Sequence, residues 1–160
     1  MDINDRKFRH YLTDFIRNLF VQVSKKVIVP LYNNLKSSQI EVKIDQNDFV
    51  TLADRKAENF ISENLLHEFK NVKVMGEEES FINNSILKNI GNGFYWAIDP
   101  IDGTKNYINV NENFCSMVSL VFNKNPIASF IYFPLHDKMT FAFKNYGSYN
   151  YNIKTDFLKK

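Results

Sequence analysis

Apolar residues recur at helical spacing along the first part of the chain. Phe8, Leu12, Phe15, Ile16, Leu19, Phe20, Val23 and Val27 fall on one face of a 3.6-residue repeat, which predicts an amphipathic helix over residues 5–35, bent or broken near Pro30. Ile40, Val42 and Ile44 alternate with polar residues, the period-two pattern of a strand in a hairpin or mobile loop ahead of Asp48. A second helix is predicted over residues 51–69, burying Ala57, Phe60, Ile61, Leu65 and Phe69, with Thr51 as N-cap. Residues 82–90 suit a short helix or an irregular insertion. The run Phe94-Tyr95-Trp96-Ala97-Ile98 reads as a buried strand. Pro100 argues against further pairing and places Asp99 at the exposed strand end. Beyond it the period changes. Residues 117–122, 126–134 and 138–144 are separated by Asn123-Lys124-Asn125 and His136-Asp137, the signature of an antiparallel meander, and Tyr146 to Tyr149 begins another turn and edge strand. Helices followed by strands predict an α+β fold, with N-terminal helices packed on a large antiparallel sheet.

Composition sets bounds on that picture. The 160 residues are 44% hydrophobic, with Phe 15 and Tyr 8, enough for one cored domain spanning residues 1–160. A net charge of +2, with no basic stripe, excludes a nucleic-acid footprint. No apolar run approaches the length that spans a bilayer, and the N-terminus is acidic where a signal peptide is basic, so no membrane association is expected and the chain is expected to be cytoplasmic. The single cysteine, Cys115, lies in an apolar run and reads as a small core residue in a reducing compartment. His10, His67 and His136 lie far in sequence from the acidic motifs and read as ordinary surface or helix-face histidines.

The chemistry concentrates in Asp99-Pro100-Ile101-Asp102-Gly103-Thr104. A hard cation such as Mg²⁺ takes carboxylate, carbonyl and water oxygens, and Asp99, Asp102 and the Ile101 carbonyl can face one point. Gly103 lets backbone approach a ligand closely, and the amides of Gly103 and Thr104 at a helix start can serve a phosphate oxygen. A second acidic source is Glu77-Glu78-Glu79, after the short apolar segment 72–75 and a turn glycine, Gly76. Three successive acids repel one another, so the cluster is either splayed into water or partly neutralised by metal. Two competing motifs fail on register. A haloacid-dehalogenase-type pair needs its second Asp two positions on, where this chain has Ile101; a calcium EF-hand loop counted from Asp99 needs Gly at Thr104 and Glu at Val110.

Three segments taken together resemble the inositol monophosphatase superfamily: residues 48–54 (Asp48 to Asp54), Gly76-Glu77-Glu78, and residues 96–107 (Trp96 to Tyr107). The resemblance covers almost the whole chain, to Tyr151. It implies a layered α/β sandwich and Mg²⁺-dependent hydrolysis of a small phosphate monoester by in-line attack of a metal-activated water, without a covalent intermediate. Glu77, Asp99, the Ile101 carbonyl and Asp102 match metal ligands. Glu77 and Thr104 match the catalytic pair that orients the water, and Ile101, Asp102, Gly103 and Thr104 match the turn that binds the phosphate. Asp54 and Glu78 match acids surrounding the metals, and Lys43 matches a mobile-loop lysine. For Asp54 a first-turn helix acid is the plain alternative, and for Lys43 a surface lysine.

The pattern also departs from the family. The downstream Trp-Asp segment that completes the second metal is absent, since the only Trp is Trp96, so the chain is expected to correspond to an N-terminal portion lacking the C-terminal subdomain. The partners expected are a small phosphorylated substrate and either a homodimer mate or a complementary C-terminal half. Inositol phosphates, histidinol phosphate, sugar bisphosphates and nucleotide 3′-phosphates all remain open as substrates, and an inactive remnant or interaction module stands as the alternative to an enzyme.

Overall fold

The computed structural model describes residues 1–43, 48–82, 91–153 and 157–159. Helix α1 (Arg6–Val23) starts where the Asp5 carboxylate accepts the Lys7 amide at 2.9 Å. It continues without a break through a π-helical turn (Ser24–Ile28) into α2 (Val29–Leu31). Pro30 has no N–H, and its ring crowds the carbonyl four residues back; the wider turn just upstream absorbs it, so the predicted bend is a π-turn. Strands β1 (Ile40–Val42) and β2 (Phe49–Thr51) form an antiparallel hairpin. Ile44 of the expected alternation and residues 83–90 lie outside the described residues.

Helix α3 (Leu52–Glu68) begins at Thr51, whose hydroxyl accepts the amides of Ala53 and Asp54. Its inward face carries Ala53, Ala57, Ile61 and Leu65 as expected, but also two buried acids, Asp54 and Glu58, while Phe60 is only half-buried.

The sheet runs in the order β3 (Lys73–Gly76), β4 (Phe94–Asp102), β5 (Cys115–Phe122), β6 (Asn125–Phe133), β7 (Lys138–Phe143), β8 (Gly147–Asn152), β9 (Phe157–Lys159). All neighbours are antiparallel except β3 and β4, which run parallel; a parallel pair needs a long crossover, and residues 77–93 provide it. The meander is therefore as expected, with one parallel pair at its edge. Strand β4 is longer than predicted. It keeps pairing with β5 to Asp102↔Cys115, with the register shifting between Asp99 and Asp102. Pro100 sits inside this bulge, where a missing N–H loses no ladder bond, and its carbonyl accepts the Ser116 hydroxyl at 2.7 Å.

Trp96↔Leu120↔Ala128 and Ile98↔Val118↔Phe130↔Phe141 are register rows on the sheet face that the helices cover. They meet Leu12, Ile16 and Phe20 from α1 and Ile61 and Leu65 from α3 in one buried cluster. Phe20 stacks on Tyr132 with ring centroids 5.5 Å apart, and Phe69 tilts onto Trp96 at 5.2 Å. Truncating a fully buried ring such as Phe130 to alanine removes about 3–5 kcal/mol. The other face presents Ala97, Met117, Ser119, Ser129 and Ile131, all half-buried. One face holds the fold together, and the rigid β4 it anchors delivers Asp99 to Asp102 to the sheet end.

Candidate metal centre

The turn after Asp102 needs glycine. Gly103 has φ of 87° and caps helix α5 (Thr104–Ile108), and a Cβ there would lie 3.0 Å from the Asn113 carbonyl oxygen. The turn closes on itself, because the Thr104 hydroxyl lies 3.0 Å from the Ile101 carbonyl and 3.2 Å from Asp54 Oδ1. A cleft of about 240 Å³ opens here, lined by Asp48, Glu77, Asp99, Asp102, Gly103 and Thr104 among others. A larger groove of about 640 Å³ adjoins it, sharing Asp102 and Gly103.

Glu77, Glu78 and Glu79 form the first turn of helix α4 (Glu77–Ile82), with Glu77 and Glu79 exposed, as in a solvated run, and Glu78 buried. Acids suit a helix start, where the unpaired N–H groups carry partial positive charge. Lys43 Nζ lies 2.8 Å from both Glu77 Oε1 and Glu78 Oε1, and 4.0 Å from Asp48 Oδ1. With its side chain 3% exposed, Lys43 is no plain surface lysine. Burial disfavours its ammonium, but hydrogen bonds to Glu77 and Glu78 outweigh burial and hold its pKa above the ordinary value. Glu78, in contrast, is pushed up to about 7 by burial, with Lys43 pulling it back. The two directions are compatible, since the ammonium touches two carboxylates and needs only one of them ionised.

Asp54 and Asp99 are both buried acids, differently served. Asp54 Oδ2 accepts the Thr51 amide at 2.8 Å and the Thr51 hydroxyl at 2.5 Å, while Oδ1 faces the Thr104 hydroxyl. Both readings of Asp54 therefore coincide in one geometry: it completes the helix cap and it reaches the Gly-Thr turn. Asp99 Oδ1 is buried with no hydrogen-bond partner. Burial first, then the neighbouring Glu77 charge and a hydrogen bond with Glu77, push the Asp99 pKa up to about 8. Cys115 lies on the flank, buried, with its Sγ 3.7 Å from Asp102 Oδ2, and burial pushes its thiol up to about 12. His10, His67 and His136 are exposed and none lines the cleft, although His136 lines the adjoining groove.

The donor set fits a hard divalent cation: hard oxygens only, among them a buried carboxylate oxygen without a donor. Among the described residues no three such groups are already gathered at ligand-shell spacing; Glu77 is instead drawn to Lys43, whose ammonium supplies positive charge to the same acids.

One residue that sequence reasoning missed is Glu58. It accepts the Glu78 and Glu79 amides at 2.8 and 2.9 Å from inside the molecule. A signal was available: Asp54, Glu58, Ile61 and Leu65 fall at i, i+4, i+7 and i+11, so Glu58 lies on the apolar stripe of its own helix.

The family model that matches residues 11–157 is that of the inositol monophosphatase family, and the chain belongs to this family. It is 36% identical over 124 residues to a fructose-1,6-bisphosphatase/inositol-1-monophosphatase of Aquifex aeolicus, an alignment covering 78% of this chain and 44% of that protein. It is 35% identical over 114 residues to a 3′(2′),5′-bisphosphate nucleotidase CysQ of Haemophilus influenzae, covering 71% and 41% respectively. An IMPase/NADP phosphatase solved with NADP and Ca²⁺ superposes with a TM-score of 0.73 at 25% identity, covering 88% of this chain and 51% of that one. The chain thus spans about half the length, or less, of these relatives. None of its described helices is long and apolar enough to cross a membrane.

Proposed function

We propose that residues 1–160 form the N-terminal metal-binding domain of a Mg²⁺-dependent phosphate monoester hydrolase of the inositol monophosphatase type. The observation that carries this reading is the buried, donorless carboxylate oxygen of Asp99, beside Glu77 and Asp102 in a cleft floored by Gly103 and Thr104. In this reading Glu77, Asp99, Asp102 and the Ile101 carbonyl hold Mg²⁺, which supplies charge that acidifies a water and offsets the phosphate oxygens. The Thr104 hydroxyl, held by Asp54, and the Glu77 carboxylate orient the attacking water. Backbone amides of the Gly103–Thr104 turn serve the equatorial phosphate oxygens. Lys43 holds Glu77 and Glu78 through its ammonium, 2.8 Å from an oxygen of each, until the metal binds.

The substrate class is a small phosphorylated alcohol or nucleotide, supported by the inositol monophosphatase and bisphosphate nucleotidase names among the relatives. A partner copy, or a polypeptide resembling the remaining part of those relatives, completes the substrate pocket. The test is Mg²⁺-dependent phosphate release from inositol-1-phosphate, histidinol phosphate and a 3′,5′-bisphosphate nucleotide, with Asp102→Asn as control. Release that disappears in the control supports the hydrolase. Release no greater than the control's, by a chain that still binds Mg²⁺, points to an inactive half-fold that keeps the metal site.

A further inference from the structure

Glu58 has a chemistry that its neighbours on α3 do not. It is 5% exposed, in a helix stripe otherwise apolar apart from Asp54. Its two carboxylate oxygens divide their work: Oε2 accepts the Glu78 amide at 2.8 Å and Oε1 the Glu79 amide at 2.9 Å. Those amides belong to the first turn of α4, where no intrahelical acceptor exists for them. The carboxylate also fills the space over Gly76. A Cβ built there would lie 2.2 Å from Glu58 Cδ and 2.4 and 2.6 Å from its oxygens, a collision that the Glu58 side chain can relieve only by moving its carboxylate. The residue between Gly76 and Glu78 is Glu77, so both flanks of that acid are fixed by one carboxylate.

Asp54 lies four residues before Glu58 on the same face of α3. It reaches the Thr104 hydroxyl, which lines the cleft together with Glu77. One helix therefore bonds the turn carrying Glu77 with one acid and the turn carrying Thr104 with the other, the two acids one helical turn apart. Two like charges on one buried helix face are an unfavourable choice for stability alone, which distinguishes this arrangement from ordinary core packing.

We propose that Glu58 is a positioning residue: by clamping the Glu78 and Glu79 amides over a side-chain-free Gly76, it sets the direction in which Glu77 is presented to the cleft. This rests on the reading of Glu77 as a metal ligand, but the clamp itself can be tested without metal. In the metal-free wild-type chain, the Glu78 and Glu79 amides should exchange with solvent far more slowly than first-turn amides that face water. Exchange at unprotected rates overturns the proposal, whether or not the chain binds metal. Titration with Mg²⁺ alone then addresses the consequence. Glu58→Gln places an NH₂ against an N–H donor, and should weaken Mg²⁺ about ten- to a hundredfold, the range of supporting-residue losses at metal sites, in a chain whose thermal transition stays cooperative. Gly76→Ala should do the same by displacing the carboxylate. In a Glu58→Ala background, Gly76→Ala should cost little more, because the group it strikes is gone. Variants that keep wild-type Mg²⁺ affinity, or Gly76→Ala effects that simply add to those of Glu58→Ala, overturn the proposal. A wild-type chain with no Mg²⁺ affinity overturns the metal reading instead, and the exchange of the two amides still decides the clamp.

Discussion

Asp54, buried behind the cleft, and Asp99, which lines it with one oxygen buried, are two aspartates that the protein treats in opposite ways. Asp54 receives the Thr51 amide, the Thr51 hydroxyl and the Thr104 hydroxyl, whereas Asp99 has one oxygen to which nothing donates. Both are pushed above the usual carboxylate range by burial, but in Asp99 the charges and hydrogen bond of neighbouring acids add to burial and carry it to about 8, while in Asp54 the donors counter it. The chain's own donors hold the first in place. The second keeps an oxygen that the proposed cation would take up. The same contrast separates Glu58, served by two amides, from Glu77, served by a lysine that must compete with any incoming cation.

The comparison breaks if removing the well-served acid costs nothing. Asp54→Ala leaves the Thr51 amide without its side-chain acceptor and loosens Thr104, so urea denaturation in EDTA should show a loss of about 2–4 kcal/mol. Gly103→Ala should cost less, about 1–2 kcal/mol, from a left-handed φ and a 3.0 Å approach to the Asn113 carbonyl oxygen; the same titration reads it. Asp99→Asn should move the metal-free midpoint the other way, upward at pH 8 and above, because it removes a carboxyl whose ionisation burial and the neighbouring acids oppose. Its pH signature sharpens the point. A carboxyl whose folded pKa exceeds its unfolded value binds its proton more tightly when folded. The Asp99 contribution is thus fully present below about pH 4 and lost as pH rises through about 8. Glu78 adds the same sign up to about 7. In EDTA the wild-type melting temperature should fall between pH 5 and pH 8, more steeply than that of Asp99→Asn. The smallest effect belongs to an exposed pair outside the cleft: Arg55 holds Glu41 at 2.5 and 2.8 Å in full view of water, and Arg55→Ala should leave the melting temperature within experimental scatter.

Much of this fold was legible in the sequence because it rests on periodicity. The α1 stripe, the Thr51 cap and the β5–β8 meander are one-dimensional patterns of apolar positions and turn residues, and they appear in space where the pattern puts them. Three features were hidden for physical reasons. Pro100 reads as a strand terminator, yet a bulge removes the need for its N–H, so β4 runs on to Asp102. The parallel pairing of β3 depends on a crossover, not on any local signal. Glu77 and Glu79 are exposed, as a solvated acidic run would have them, but the burial of Glu78 was hidden, because the carboxylate that organises this turn, Glu58, is twenty residues away and reveals itself only by its place on an apolar helix face. Likewise Lys43 is unremarkable in sequence, and its identity as a buried partner of Glu77 and Glu78 follows from the folding of the β1–β2 stem, where its amide donates to the Asp48 carbonyl at 2.8 Å.

The central claim is that the donorless acid is aimed at a divalent cation, and calorimetric titration of the metal-free chain with Mg²⁺, alongside Asp99→Asn and Arg55→Ala, tests it most directly. The account predicts saturable binding by the wild-type chain and by Arg55→Ala, and a loss in Asp99→Asn exceeding about a hundredfold, beyond the range expected for supporting residues. Equal binding by wild-type and Asp99→Asn, or none by either, would contradict it.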